Sequence, residues 1–296
     1  MASAVLIEPH REVESALRRS MDGLAARVPS AIAAAARDGV LGGGKRLRPL
    51  MLLAAYQDLG GAPVAPIFDL AAAVELIHAY SLMHDDLPCM DDAPLRRGRP
   101  TAHVVHGTVT TARAGVALIA WGAICAREAS LALGGSEAEA RRIAETLLEA
   151  AGAGGMVGGQ ALDLLSENAA LSEPELAQLH RLKSGALLTV SLEMGGMAAG
   201  ADARQLAALG RFGADLGLAF QIADDVLDAT SDTATLGKRP SDMERNKSTY
   251  VALLGVEGAR ARAQSLVDSA SAHLEEAGIA AARLRRLAHF VVSRQS

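Results

Sequence analysis

Two short stretches hold the residues whose types and spacing could do chemistry. In Glu75–Arg97, ELIHAYSLMHDDLPCMDDAPLRR, an apolar helix runs into Asp85, Asp86, Asp91 and Asp92, and Arg96 and Arg97 close the segment. Crowded carboxylates repel one another, so a fold that gathers them usually neutralises them with cations. Pro88 lacks an N–H and disturbs the helix that reaches Asp85, which presents Asp91 from a loosened turn. The neighbouring arginines disfavour a closed calcium cage. They fit a site where magnesium and arginine together grip a phosphate-bearing ligand. Taken alone, the cluster also reads as a solvated acidic helix end.

The second stretch, Gly217–Asp228 (GLAFQIADDVLD), is mostly apolar and carries Asp224, Asp225 and Asp228. Asp224 and Asp228 stand at i and i+4 on one helix face, with Gln221 one turn earlier on the same side. Like charges at that spacing are unfavourable in an isolated helix and ask for a cation. Two such clusters, roughly 140 residues apart by the numbering, could face each other across a helical bundle and hold a metal-bridged ligand.

HDDLPCMDD followed by LRRGRPTAH, with FQIADDVLD later, resembles the trans-prenyl diphosphate synthases, specifically the bacterial farnesyl and geranylgeranyl type. The resemblance runs from about Gly42 to the C-terminus. It implies an all-α, isoprenoid-synthase-type helical bundle around a deep central cavity. It also implies that the aspartate motifs (Asp85, Asp86 and Asp91; Asp224, Asp225 and Asp228) bind the allylic diphosphate through Mg2+.

Composition sets the frame. The chain has 296 residues, half of them apolar and only 3% aromatic, which favours an Ala/Leu/Val/Ile helical core over sheet. A net charge of −5 leaves no basic stripe for nucleic acid. The longest uncharged apolar run, Ala114–Ala126, is shorter than the ~20 residues of a spanning helix, which predicts no membrane span. The N-terminus lacks the pattern of a signal peptide. Cys89 and Cys125 form neither a disulfide framework nor a zinc site. A reducing compartment, most simply the cytoplasm, and one domain over 1–296 are the expectations.

In chain order, Glu12–Arg37 reads as an amphipathic helix. In LGGGKRLRP, Leu41–Pro49, three glycines allow close backbone approach and Lys45, Arg46 and Arg48 supply charge. By spacing alone this is equally a basic turn opening a helix, and His78 equally a core histidine. The resemblance assigns Gly44, Lys45, Arg48, His78 and Arg97 to the diphosphate of isopentenyl diphosphate. Val64–His84 and Thr101–Arg127 read as long helices. Ser136 with Glu139 predicts a helix start, and Ser172 opens a helical Glu173–Ala199. There Lys183 and Ser184 resemble a Lys-Thr pair that contacts the allylic diphosphate. Thr233–Thr249 reads as a polar loop in which Lys238 and Lys247 match lysines that close over the diphosphate. Two more helices end the chain.

Departures accompany the matches. The family pattern PTxHxxFGE, and later AGDAL, meets His106, Thr108 and Val116 in place of Phe, Glu and Asp. The last change removes a carboxylate that the family places near the active cavity.

The implied reaction is a 1′-4 condensation: the allylic diphosphate ionises, isopentenyl diphosphate attacks the cation, and a proton is lost. Asp85, Asp91, Asp224 and Asp228 with Arg96, Lys183 and Lys238 would neutralise the leaving group, and Gln221 belongs to the same substrate set. In the resembling enzymes an aromatic at Tyr80, with the two extra residues of HDDLPCMD, goes with the fifteen-carbon farnesyl product. On a bare helical wheel, Ser81 sits more directly below Asp85 than Tyr80 does. Geranylgeranyl diphosphate is the alternative product. A terpene cyclase shares the aspartates but lacks a second diphosphate site, and a non-catalytic regulatory subunit of a related synthase is the third reading. The resemblance also implies a homodimer.

Overall fold

The computed structural model describes residues 4–167, 169–230 and 248–293. Their regular elements are helices, apart from one pair of two-residue strands. Chain contacts divide the molecule into two compact units. The first comprises residues 1–53 and 61–148, the second 54–60 and 149–296.

The first unit begins with α1 (Ala4–Ala25) and α2 (Ser30–Leu41). The single helix expected over Glu12–Arg37 is therefore two. Pro29 explains the break, because its ring disfavours helical backbone at Val28 and it donates no hydrogen bond. Next comes α3 (Leu47–Asp58), whose last residues enter the second unit. The centre of the first unit is α4 (Ala65–Asp85), apolar on every side and buried from Ile67 to Met83 along most of its length. A helix with no polar face must be covered all round, and α1, α2 and α6 (Thr108–Ala132) pack on it. Gly115 and Gly122 bring α6 close: a Cβ at Gly115 would lie 2.2 Å from His84 Nε2, and one at Gly122 would lie 3.0 Å from Ile77 Cδ1.

The helix expected over Thr101–Arg127 is also split. Short α5 (Ala102–His106) is separated from α6 by Gly107, whose φ of 81° belongs to no right-handed helix. Between α4 and α5, β1 (Leu95–Arg96) and β2 (Arg99–Pro100) pair around a turn of Arg97 and Gly98. Both turn residues have positive φ, 53° and 72°, as a two-residue hairpin turn requires. Helix α7 (Glu137–Ala151) starts where expected, with Glu139 Oε2 accepting from both the N–H and the hydroxyl of Ser136.

In the second unit, α8 (Met156–Leu165) leads to α9 (Glu173–His180), a π turn (Arg181–Gly185) and α10 (Ala186–Ala198). The long α11 (Ala203–Thr230) is its spine, packed by α10 and by α12 (Tyr250–Glu276), which kinks at Gly255. Helix α13 (Ala282–Ser293) is held at its start by Asp58, which accepts from the backbone of Arg283 and Leu284 at 3.0 Å each.

The uncharged run behind the membrane expectation is a narrower measure than helix hydropathy. Helices α4, α6 and α11 are each long and apolar enough to cross a bilayer by length and composition. Scattered charges break the uncharged run but not the mean hydropathy. Burial within the molecule accounts for 72% of the apolar window of α4, 50% of that of α11 and 39% of that of α6.

Candidate active site

In the first unit, α4 ends at Asp85 and the next residues fold straight back over its end. The N–H of Asp91 donates to the Asp85 carbonyl at 2.9 Å, and those of Asp92 and Ala93 donate to Leu87 and Asp86 at 3.1 and 3.2 Å. This coil, with Pro88 inside it, sets Asp91 beside Asp85. Carboxylates at a helix C-terminus meet the negative end of the helix dipole, so they call for positive charge. Arg96 supplies part of it: its guanidinium grips Asp86 with two contacts of 2.8 Å in bidentate geometry. Asp86 is 4% exposed. Although burial opposes the charge on Arg96, its pKa lies above the ordinary value because Asp86, then Asp85 and Asp91, favour the cation.

The hairpin turn aims Arg97 at the glycine loop. Its guanidinium donates to the Gly43 carbonyl and lies across Gly44, where a Cβ would stand 3.0 Å from its nitrogens. Gly44, at φ 144°, is thus required both by backbone conformation and by contact. Lys45 is exposed and Arg48 half-buried in the first turn of α3. Between them Arg46 turns inward, 3% exposed. It donates from Nε to Glu14 at 2.7 Å, from Nη1 to Glu75 at 2.9 Å and from Nη2 to the Val40 carbonyl at 2.9 Å. Burial opposes its charge, but Glu75 and Glu14 more than offset this and hold its pKa above the ordinary value. Breaking such a buried pair by removing one partner costs roughly 3–5 kcal/mol.

His78, one turn beyond Glu75 on α4, is half-buried, with its Nδ1 turned inside and without a hydrogen-bond partner. Burial, then the charges of Arg48, Arg97, Arg96 and Arg46, drive its pKa well below the usual histidine value. It is therefore a neutral imidazole facing arginines, in a region of strong positive potential. A cleft of about 490 Å³ in this unit is lined by Arg96, Arg97, Arg99 and Asp86 together with Leu82 and Met83.

Tyr80 is 6% exposed and meets His84 edge to face at 5.1 Å. Burial, then the charge of Asp85, raises its pKa. Ser81 donates to the His78 carbonyl at 2.9 Å. Of the departures, His106 pairs with Asp38 at 2.7 Å and Thr108 is exposed. Val116 is 61% exposed. Its neighbour Gly115 makes the close contact with His84, so an acid at position 116 would not be buried.

The second unit carries its own set. Gly159 lets the π turn settle on α8, since a Cβ there would lie 2.1 Å from the Lys183 nitrogen. Lys183 Nζ then reaches Asp163 at 2.6 Å. Such π segments cluster at functional sites because they re-aim side chains. A cavity of about 120 Å³ is lined by Lys183, Ser184, His180, Asp163, Gln221 and Asp225. Burial pushes the pKa of His180 down to about 4, and its Nε2, both amide atoms of Gln160 and the Tyr250 hydroxyl are buried without partners. Asp224, half-buried, and Asp228, exposed, share a face of α11 as expected, whereas Asp225 accepts from the Tyr250 N–H at 2.7 Å. Lys238 and Lys247, with most of the expected loop, lie outside the described residues.

Asp163, Glu14, Glu75 and Arg46 were not singled out as site residues by sequence. Glu75 inside an apolar helix and Asp163 inside GQALDLL carried the available signal, a charge in an otherwise apolar run. Among the described residues, no group of three or more His, Cys, Asp or Glu side chains is gathered closely enough to hold an ion. The donors that the two motifs offer are hard carboxylate oxygens. They fit magnesium, and they lack the thiolate and imidazole of a zinc site.

Comparison with known proteins gives one consistent result. Residues 29–283 match the family described as polyprenyl synthetase, a span that runs through both units. The chain is 40% identical to a farnesyl diphosphate synthase of Geobacillus stearothermophilus, over 98% of this chain and 96% of the relative. It is 38% identical to a chloroplastic geranylgeranyl pyrophosphate synthase of Catharanthus roseus, over 92% of this chain and 75% of that one. A geranyltransferase of Helicobacter pylori, solved with magnesium and isoprenyl diphosphate, superposes with a TM-score of 0.79 at 32% identity, covering 99% of this chain and 97% of its own. The all-helical architecture agrees with these matches, and the chain belongs to the polyprenyl synthetase family.

Proposed function

We propose that this chain is a short-chain trans-prenyltransferase that condenses isopentenyl diphosphate with dimethylallyl and geranyl diphosphate to make farnesyl diphosphate. The observation that carries the reading is the convergence of charge in the first unit: Arg48, Arg97 and Arg96 all act on a neutral, largely buried His78. That potential suits a diphosphate, which arginine forks bind bidentately. Lys45 and the Gly44 backbone complete the isopentenyl diphosphate set, with His78 able to donate a hydrogen bond without adding charge.

Asp85, Asp91, Asp224 and Asp228 are the residues that would hold Mg2+, which when bound neutralises the departing diphosphate. Asp86 and Asp225 serve differently in this reading. Asp86 fixes Arg96 and Asp225 fixes the start of α12, each through the contacts above. Lys183, aimed by Asp163, stabilises the developing negative charge at the allylic oxygen, with Arg96 doing so from the other motif. Ser184 and Gln221 contact the same substrate, and Lys238 and Lys247 enter on the resemblance alone. The apolar wall of α4 shields the allylic cation from water. Tyr80, buried beside Asp85, sets chain length with Ser81 next to it.

A second copy of the chain is the proposed partner. Val109, Val116 and Ile124, 63%, 61% and 44% exposed, form one apolar stripe on α6 that a homodimer would cover. The free thiols of Cys89 and Cys125 suit the cytoplasm.

Purified protein with labelled isopentenyl diphosphate, dimethylallyl diphosphate and magnesium tests the reading, with chromatography of the dephosphorylated products. Farnesol is the expected product. Geranylgeraniol would favour the second reading, which the Catharanthus relative supports. No consumption of isopentenyl diphosphate would leave only the non-catalytic subunit.

A further inference from the structure

The loop between α2 and α3 contains one cation that cannot meet a ligand. Lys45 is exposed and Arg48 half-buried, but Arg46 is buried and its guanidinium is taken up by three separate elements. Glu14 comes from α1, Val40 from the end of α2 and Glu75 from α4. The Arg46 backbone is also fixed. Its φ is 51°, in the left-handed region that non-glycine residues avoid, and its carbonyl accepts from the Leu50 N–H at 3.1 Å to start α3. The loop is further tied by Arg97 on the Gly43 carbonyl and by His10 on that of Gly44 at 3.3 Å.

We infer that Arg46 is the positioning residue of the isopentenyl diphosphate site: it locks the glycine loop to α4, so that Lys45 and Arg48 are held in register with His78 and Arg97. This rests on the reading of that site given above. Glu75 and His78 are one helical turn apart on α4, so the Arg46–Glu75 pair fixes where the loop stands relative to the imidazole. A planar fork is needed, because a single ammonium cannot reach a carboxylate on each side and a carbonyl at the third corner. The left-handed backbone at Arg46 turns its side chain inward while its neighbours remain on the ligand side.

A role limited to stability would lower the melting temperature and leave substrate selectivity alone. Positioning makes a different demand, since small misplacement of binding groups costs affinity for one substrate only. In steady-state assays of the full chain, Arg46→Met is expected to raise KM for isopentenyl diphosphate at least about tenfold. KM for geranyl diphosphate is expected to stay within about twofold. Arg46→Lys, which keeps charge but not the fork, is expected to fall between Met and wild type. Glu14→Gln removes charge from the more exposed arm of the triad, leaves the Glu75 pair in place, and is expected to raise the same KM about threefold. Parallel rises in both KM values, a fall in kcat alone, or a lower melting temperature with both KM values unchanged would overturn the inference. If circular dichroism shows Arg46→Met to be unfolded, Glu14→Gln decides: a folded variant with unaltered KM for isopentenyl diphosphate overturns it. A wild-type chain that consumes no isopentenyl diphosphate removes the reading of the site, and the inference with it, before any variant is made.

Discussion

The two units of this protein reach phosphate chemistry by different routes. The first is rich in guanidinium groups. Arg96 grips Asp86 and Arg46 meets Glu14 and Glu75, while burial, then the charges of Arg48 and Arg97, keep the His78 imidazole neutral. In the second, the cation lining the described cavity, Lys183, is paired with Asp163, and Gln160, His180 and Tyr250 bury polar atoms without partners. Unsatisfied buried polar groups cost on the order of 1–3 kcal/mol each. In the proposed reading the first site is built in advance for an anion. The second holds acidic and neutral groups that an anion reaches only with added positive charge. Substrate order, metal dependence and acid sensitivity should therefore divide along the same line.

The largest effect expected concerns the aspartates. Asp85→Ala and Asp224→Ala should each lower turnover by roughly 10²–10³-fold or more, as loss of a main electrostatic stabiliser does, with helical circular dichroism unchanged. Near-normal rates in either variant would break the assignment of that unit's motif.

Acid sensitivity comes next. In the unfolded chain a histidine takes up its proton as pH falls through about 6.5. In the folded protein His180 resists until about 4, and His78 until well below its ordinary value. Across that window the unfolded state binds more protons, so stability is lost as pH falls below about 6.5. The slope is up to about 1.4 kcal/mol per pH unit for each histidine. Urea denaturation at pH 7.5, 6 and 5 reads the slope, and His180→Asn should flatten it by the share of the second unit. A flat profile would contradict the burial of both rings.

Tyr80→Ala should move products toward longer chains with a smaller change in rate. An unchanged product distribution would place the floor elsewhere. The smallest effect is expected for Val116→Asp. Because the side chain is 61% exposed, the melting temperature of the monomer should hardly move, surface substitutions lying within about 0.5 kcal/mol. A change confined to the monomer–dimer equilibrium, measured by sedimentation, would tie this position to the proposed partner surface.

What the sequence disclosed follows from the range of the forces involved. The i, i+4 pair Asp224 and Asp228, the end of α4 at Asp85 and the caps at Ser136 and Ser172 are local, and the structure has them where their spacing put them. Long-range partners were hidden. Nothing in HDDLP says that Asp86 answers to Arg96, nor in GKRLR that the middle cation turns inward to residues 32 and 29 positions away. The breaks at Pro29 and Gly107 were written in the sequence but outweighed by apolar periodicity on either side. The π turn that aims Lys183 depends on Gly159, a contact of close approach that no spacing rule reports.

The most direct test of the contrast between the units is calorimetric binding of isopentenyl diphosphate to the full chain in the presence of EDTA. The account predicts that it binds without divalent metal, that Arg97→Met and His78→Ala each weaken it, and that geranyl diphosphate shows no comparable binding until magnesium is added. An absolute magnesium requirement for isopentenyl diphosphate, or metal-free binding that survives both substitutions, would contradict it.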